Sequence, residues 1–232
     1  MSAGVTAAVC GRVSTRAFLQ DKPVPLELIK DILEVASRAP SGGNTQPWHL
    51  YVLAGEAREA LVQAIRQPGA FSNGKLEFEV YPSKEREPVG FSERKRNVAF
   101  AMYDLLGVDR KDAAGRQRAL VKNWEFFGAP VGIIVTVDRA CDRNAWGHVG
   151  MLLQSICLLA EERGLASCLQ EAWGNLGVVY KTLSIPDSEV VWCGLALGYA
   201  DPAAPVNTLR TAREPVDAFA QFRGFHEGPS KL

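Results

Sequence analysis

Apolar residues recur along the chain with two different spacings, which predict helices in some segments and strands in others. Residues 25–38 and 144–163 place their apolar side chains on one helical face, and Gly164 is typical of a helix end. Residues 131–137 and 190–197 are nearly continuous apolar, β-branched runs, which predict strands buried on both faces. Helices alternating with strands indicate an α/β or α+β layered fold.

Shorter patterns predict further strands, helices and an irregular segment. Residues 48–53 predict another strand, and further helices are predicted at 56–66, 92–106 and 112–126. Glycine and proline interrupt residues 67–90, which we interpret as an irregular excursion with a short extended piece near 78–81. Unstructured connections of that length are usually functional or mobile.

The chain end is irregular as well. Residues 201–232 form a tail that is rich in proline and alanine at its start, with one amphipathic piece near 216–222. No internal repeat divides the sequence, so residues 1–232 are interpreted as one domain.

Charge and composition exclude several classes of protein. Lys plus Arg and Asp plus Glu are 26 each, so a neutral chain has no bulk attraction for nucleic acid or an anionic membrane. No apolar stretch reaches membrane-spanning length and no signal peptide is recognisable, which predicts a cytoplasmic protein. The 5 cysteines and 3 histidines lack the spacing of a metal site, a disulfide framework or a catalytic triad. A Rossmann G-x-G-x-x-G and a P-loop are also absent from the sequence.

Any anion site must therefore be built from a few local arginines. Arg12, Ser14 and Arg16 lie within five residues, with Thr15 between them, and guanidinium groups match phosphate oxygens. A solvated surface turn is the alternative for this segment. Two more arginines, Arg210 and Arg213, lie in the tail, and they matter only if the fold returns them to the first cluster.

A third segment, residues 39–48, reads A-P-S-G-G-N-T-Q-P-W. Its two glycines allow the backbone to approach a flat ligand closely. The side-chain amides of Asn44 and Gln46 could form hydrogen bonds with the carbonyls and ring nitrogens of a heterocycle. The alternative is a simple loop between a helix and a strand, with Trp48 in the core.

Together these segments resemble the nitroreductase family of flavoproteins. Its R-x-S-[TVI]-[RK]-x-F pattern corresponds to residues 12–18, and its A-P-S-x-x-N-x-Q-P-W pattern to residues 39–48. Its G-[YH] after the last core strand matches Gly198-Tyr199, and its basic residue before proline matches Arg213. All of them occur in the family's order over nearly the whole chain.

The resemblance implies an α+β fold with a mostly antiparallel sheet, an intertwined homodimer, and FMN bound at the subunit boundary. Metal is not expected, and the flavin, rather than a catalytic side chain, carries the chemistry. The residues implied in cofactor binding are Arg12, Ser14 and Arg16, with Arg210 and Arg213 at the phosphate; Pro40, Ser41, Gly42 and Asn44 from the other subunit; and Gln170, Glu171 and Ala172 beside flavin N5, the last two through their main chain.

The activity implied is a two-step reduction of a nitroaromatic compound, in which NADH or NADPH reduces FMN and leaves before the acceptor binds. Trp124, Phe126 and Phe127 are candidates for an aromatic pocket wall, with core aromatics at a helix end as the alternative. Val13 replaces a basic residue or histidine of many members, and residues 67–90 do not align with compact members. Reductive dehalogenation, quinone or enone reduction, and flavin binding without turnover stay open, as do the physiological acceptor and the choice between NADH and NADPH.

Overall fold

The computed structural model describes residues 4–72, 74, 77–141 and 143–225. The helices are α1 Val5–Gly11, α2 Leu26–Ala36, α3 Gly55–Arg66, α4 Phe91–Leu105, α5 Ala113–Val121, α6 Arg143–Glu162 and α7 Gly177–Leu183. The strands are β1 Trp48–Ala54, β2 Val131–Asp138, β3 Ala166–Gln170 and β4 Glu189–Gly198. Short 3-10 helices lie at Gly42–Asn44, Lys122–Gly128, Glu171–Trp173, Pro205–Thr208 and Val216–Ala218. Within the described ranges, no helix combines the length and the apolar content needed to cross a membrane.

The four strands form one sheet in the order β1-β2-β4-β3, and every neighbouring pair is antiparallel. The α+β class predicted from the sequence is therefore confirmed. The two apolar runs form the central strands β2 and β4, which explains their continuous hydrophobicity, because both of their faces are covered.

Side chains of β2 alternate between two apolar clusters, one on each face of the sheet. Ile133 and Val135 pack with residues of α2 and α6, whereas Ile134 packs with residues of α3 and α7. This period of two is the geometry of a strand, and here it places a helical layer on each face.

Several short elements differ from the sequence prediction. Strand β3 and helices α1 and α7 were not predicted, and the extended piece near 78–81 forms no strand. The helix predicted over 112–126 ends at Val121 and continues as a 3-10 helix, while the piece near 216–222 contains only one 3-10 turn. Short segments bury few residues, so tertiary contacts outweigh their local pattern.

Two glycines in the sheet explain where the aromatic residues of the 3-10 helices pack. A Cβ atom on Gly132 would lie 2.5 Å from the Phe126 ring, and one on Gly194 would lie 2.2 Å from Trp173. Phe126 and Trp173 stack with ring centroids 4.5 Å apart in the space that these glycines leave. Both rings are fully buried, so the turn at 171–173 is fixed to the sheet through Trp173.

A buried polar cluster closes one end of the sheet. Glu189, at the start of β4, accepts hydrogen bonds from the Tyr51 hydroxyl at 3.0 Å and from the Thr136 hydroxyl. Burial, followed by the hydrogen bond and charge of Glu189, raises the pKa of Tyr51 to about 12. We call these three residues the sheet-end cluster.

Residues 77–81 lie along the turn that follows β3, although they form no regular element. The Glu77 N–H donates to Asn175 Oδ1 at 2.7 Å, and Asn175 Nδ2 donates to the Phe78 carbonyl at 3.1 Å. Arg139 pairs with the Glu77 carboxylate, and the Tyr81 hydroxyl donates to Glu171 Oε2 at 2.8 Å. The described part of the irregular excursion is thus attached beside Glu171.

Candidate functional site

The N-terminal arginine segment runs beside β3 as an additional short extended piece. Ser14 forms an isolated parallel bridge with Ser167, and the Thr15 N–H donates to the Ser167 carbonyl at 3.0 Å. Thr15 is buried. Side chains alternate along an extended chain, so Arg12, Ser14 and Arg16 share the opposite face.

The C-terminal segment is tied to this piece by a single amide side chain. Asn207 Oδ1 accepts from the Arg16 N–H at 2.9 Å, while Asn207 Nδ2 donates to the carbonyls of Ala17 at 2.8 Å and Asp201 at 2.9 Å. These bonds satisfy both the oxygen and the nitrogen of the Asn207 amide. They hold the chain that leads to Arg210 and Arg213 against the segment that contains Arg12 and Arg16.

The fold therefore returns the tail arginines to the first cluster. Arg12, Ser14, Arg16, Arg210 and Arg213 line one cavity of about 340 Å³, which we call the arginine cleft. Its remaining wall is formed by Val9, Cys10, Val13, Leu209 and Thr211, so the described residues of the lining contribute four guanidinium groups and no carboxylate.

Hydrogen bonds inside the cleft do not balance this charge. Arg16, Arg210 and Arg213 donate to nearby carbonyls, which are neutral acceptors. The buried Nε atom of Arg12 has no hydrogen-bond partner among the described residues. A buried donor without an acceptor is costly, and four like charges favour an anion that brings several oxygens. A terminal phosphate has that chemistry.

The loop between α2 and β1 is strained and exposed. Gly43, Asn44 and Gln46 have φ angles of +61°, +56° and +46°, in the left-handed region. The Gly42 N–H donates to His148 Nε2 on α6 at 3.2 Å, and the Gln46 N–H donates to Ser41 Oγ at 3.0 Å.

This loop does not meet the arginine cleft within one chain. Pro40, Gly42 and Asn44 are exposed, and Ser41 is half-buried. The residues that line the cleft include none of the four.

The turn after β3 places three candidates in different environments. The Gln170 side chain is buried, donating to the Asn123 carbonyl at 2.6 Å and accepting from Trp173 Nε1 at 3.3 Å. These two bonds use the amide nitrogen and oxygen within the chain, and the role of Gln170 at a cofactor stays a prediction. Glu171 and Ala172 begin a 3-10 helix, whose first N–H groups lack acceptors inside the helix. Their main-chain contact with a cofactor, which the resemblance implies, stays a prediction.

The aromatic pocket wall predicted from Trp124, Phe126 and Phe127 is not supported by the packing. Phe126 is fully buried and stacked on Trp173, and Phe127 is 9% exposed in the same cluster. Trp124 donates from Nε1 to the Ala172 carbonyl at 2.8 Å, which fixes the cofactor-side turn. Phe126 and Phe127 are buried as core aromatics, and Gly132 leaves the space that the Phe126 ring fills.

A larger cavity adjoins the arginine cleft and shares Arg16 and Arg213 with it. Its volume is about 870 Å³, and it lies between α4 and the chain around residues 211–219. We call it the α4 cavity. Its lining is formed by Arg16, Tyr81, Arg94, Lys95, Val98, Ala99, Met102, Thr211, Ala212, Arg213, Glu214 and Phe219.

Three residues that hold this site together were missed by sequence reasoning. Asn207 fixes the tail, His148 accepts from the Gly42 loop, and Tyr81 bonds to Glu171. The sequence separations are 190, 106 and 90 residues, so no local pattern could signal them.

The fold and the cleft define an α+β protein with an arginine-lined cavity next to a largely apolar one. The sequence profile described as Nitroreductase family matches residues 9–199. The chain belongs to the nitroreductase family, as its three motifs predict.

Named relatives cover nearly the whole chain. It is 40% identical to a chloronitrobenzene nitroreductase of Comamonas testosteroni, over 91% of this chain and 93% of that protein. It is 37% identical to a 4-nitrobenzoate reductase of Pseudomonas putida, over 94% and 95%. The structure of the FMN and NADPH-dependent nitroreductase NfnB from Sphigopyxis sp. strain HMH is similar with a TM-score of 0.90 and 37% identity, covering 96% of this chain and 100% of that one.

Proposed function

We propose that this protein is a homodimeric, FMN-dependent oxidoreductase that reduces nitroaromatic compounds with NADH or NADPH. The observation that carries the proposal is the arginine cleft, where four guanidinium groups and a buried, unpartnered Arg12 Nε face no carboxylate. FMN ends in a single phosphate, which supplies the oxygens that this cleft needs. The names of the relatives agree with this chemistry.

Arg12, Ser14, Arg16 and Arg213, with Arg210 beside them, would hold the phosphate end of FMN. Along β3 the chain leads from Ser167, beside this cleft, to Glu171, where the N–H groups of residues 171 and 172 would orient the ring system. Bound FMN supplies the redox chemistry, and the protein supplies position and electrostatics. Trp173 and Trp124 fix the turn so that its donors need no rearrangement when a ligand binds.

NADH or NADPH and the nitroaromatic compound would bind at one site in succession. Reduction of a nitro group also consumes protons; these would come from solvent, so no acid–base side chain is required in this scheme. Exclusion of water would come from the apolar walls of the α4 cavity, formed by Val98, Ala99 and Met102.

The cofactor assignment is tested on purified protein. The chromophore released on denaturation should run with FMN in chromatography, and NADH or NADPH oxidation should depend on an added nitroaromatic compound. Quinones and halogenated phenols tested in parallel separate the other enzymatic alternatives. FAD, no flavin after reconstitution, or bound FMN without turnover would each contradict the proposal.

A second copy of the chain would complete the site. The exposed loop from Pro40 to Asn44 lies outside the cleft of its own chain, which supports a role at the partner's cofactor. One variant carries Arg12→Ala with Arg16→Ala, and the other carries Gly42→Trp with Asn44→Ala. If each cofactor site takes its arginines from one chain and its loop from the other, a mixed dimer has one doubly damaged site and one intact site. Activity should therefore return. Confirmed heterodimers without recovered activity would place the cofactor within one subunit.

A further inference from the structure

We propose that the α4 cavity selects nitroaromatic acceptors that carry a negatively charged substituent such as a carboxylate. This inference rests on the proposed function and names the acceptor class for that same site. The cavity combines an apolar surface large enough for a ring with two cations, Arg94 and Lys95, that lie on the same helix as part of that surface.

One face of α4 provides the apolar surface. Val98, Ala99 and Met102 line the cavity, and Phe219 and Ala212 face them from the tail. Residues spaced by three or four positions share a helical face, so these three side chains form a continuous strip. None of the residues of α4 is fully buried in the described chain, so this strip is open to a ligand.

The cations occupy the turn of α4 that precedes this strip. Arg94 lies four residues before Val98, and Lys95 lies four residues before Ala99, on the same face. A ring lying on the strip would direct a substituent at one end toward these two groups. The N-terminal end of a helix also carries partial positive charge, which adds to the attraction for an anion.

The charge count favours an anionic ligand. Arg16, Arg94, Lys95 and Arg213 line the cavity with Glu214 as the one carboxylate in its lining. Arg16 and Arg213 also belong to the arginine cleft, where the phosphate would use them. Arg94 and Lys95 are left for the acceptor.

Both of these cations already have partners. Arg94 pairs with Glu214 at 2.7 Å, with both side chains about half exposed, and Lys95 pairs with Glu87. Lys95 also lies 4.7 Å above the centre of the Tyr81 ring. The Arg94–Glu214 pair is exposed and therefore weak, and Arg94 has further N–H donors, so an entering carboxylate can replace or join Glu214. The Glu87 side chain is largely buried, so Lys95 is the more strongly held of the two cations. Glu214 therefore competes with the acceptor.

The test compares 4-nitrobenzoate with uncharged nitrobenzene at saturating NADPH. Arg94→Gln and Lys95→Gln should each raise the KM for 4-nitrobenzoate about five- to thirtyfold relative to that for nitrobenzene, the loss of one charge-assisted contact. Arg96→Gln is the matched control, because it removes a charge from the adjacent position of α4 outside the cavity lining. It should leave both KM values unchanged.

Glu214→Gln should act in the opposite direction and lower the KM for 4-nitrobenzoate, because it removes the competing carboxylate. A simple loss of folding could not produce this gain. Benzoate gives a readout without turnover: its inhibition constant against nitrobenzene should rise in Arg94→Gln and fall in Glu214→Gln.

Equal effects of Arg94→Gln on both acceptors, or no improvement in Glu214→Gln, would overturn the inference. A raised KM for NADPH, with NADH and both acceptors unaffected, would assign the cations to the phosphate of the donor and would equally overturn it. Failure of the proposed function looks different, since wild-type protein would then reduce neither acceptor.

Discussion

The sheet-end cluster and the arginine cleft both gather polar side chains, but they differ in how those groups are satisfied. In the sheet-end cluster, the buried carboxylate of Glu189 accepts from Tyr51 and Thr136, so each hydroxyl has a partner within the chain. In the arginine cleft, Arg16, Arg210 and Arg213 donate only to neutral acceptors, and Arg12 Nε has no partner among the described residues. A polar group that the fold satisfies contributes to stability, whereas an unbalanced set of cations marks a place for a ligand.

This comparison predicts that substitutions in the cleft affect flavin affinity and leave the fold intact. Arg213→Ala should weaken FMN binding about ten- to a hundredfold, because a charge-assisted phosphate contact contributes about 1.5–3 kcal/mol. Arg210→Ala is the matched control in the same segment, and its effect should be smaller, since Arg213 also borders the α4 cavity. Fluorescence titration of the apoprotein with FMN measures both.

The free energy of unfolding of the two apoproteins should lie within about 0.5 kcal/mol of wild type, because both side chains are exposed. Equal FMN affinities for the two variants would mean that Arg213 has no special role. A large loss of stability would remove the contrast with the sheet-end cluster.

The reverse pattern is expected at the sheet end. Tyr51→Phe removes one of the two hydroxyl donors to Glu189, so the free energy of unfolding should fall by about 1–2 kcal/mol, with FMN affinity unchanged. Tyr103→Phe serves as the control, because the described residues supply no hydrogen-bond partner for that hydroxyl. Urea denaturation of the apoproteins gives the comparison. Reduced FMN affinity in Tyr51→Phe would show that the two regions are coupled.

The smallest expected effect is a dependence on alkaline pH. The pKa of Tyr51 is raised from 10.0 to about 12, so the folded state keeps the proton that the unfolded state releases. The stability gained from this hydroxyl is complete below the unfolded pKa and is lost as pH rises toward the folded one. The difference between wild type and Tyr51→Phe should therefore be larger at about pH 9 than at about pH 11. A constant difference would exclude this titration as its source.

The sequence predicts the features that depend on local pattern and misses those that depend on contacts between distant segments. Strands β2 and β4 and helices α2 and α6 were predictable, because long apolar periods report directly on burial. The arginines of the cleft were predictable as candidates from their motif, yet only the fold brings Arg16 and Arg213 to one cavity. Strand β3 was missed since its five residues, A-S-C-L-Q, mix polar and apolar types without a clear period.

The positions of aromatic residues were the least predictable. Phe126 and Phe127 have φ angles of +51° and +52°, a conformation that no helical pattern indicates. Their packing depends on Gly132, whose missing side chain leaves room for the Phe126 ring. Local sequence does not show which distant side chain packs in the space that a glycine leaves in a sheet.

The bonds of Asn207 have a consequence for the order of events during synthesis. The first arginines of the cleft leave the ribosome early, but the side chain that holds the opposite wall is 191 residues further along the chain than Arg16. A nascent chain that ended before residue 207 would lack Asn207 and four residues of the cleft lining, Leu209, Arg210, Thr211 and Arg213. Because contacts this distant in sequence form late, the cleft is completed only near the end of synthesis. A chain truncated at that point would therefore have no complete site for a phosphate group.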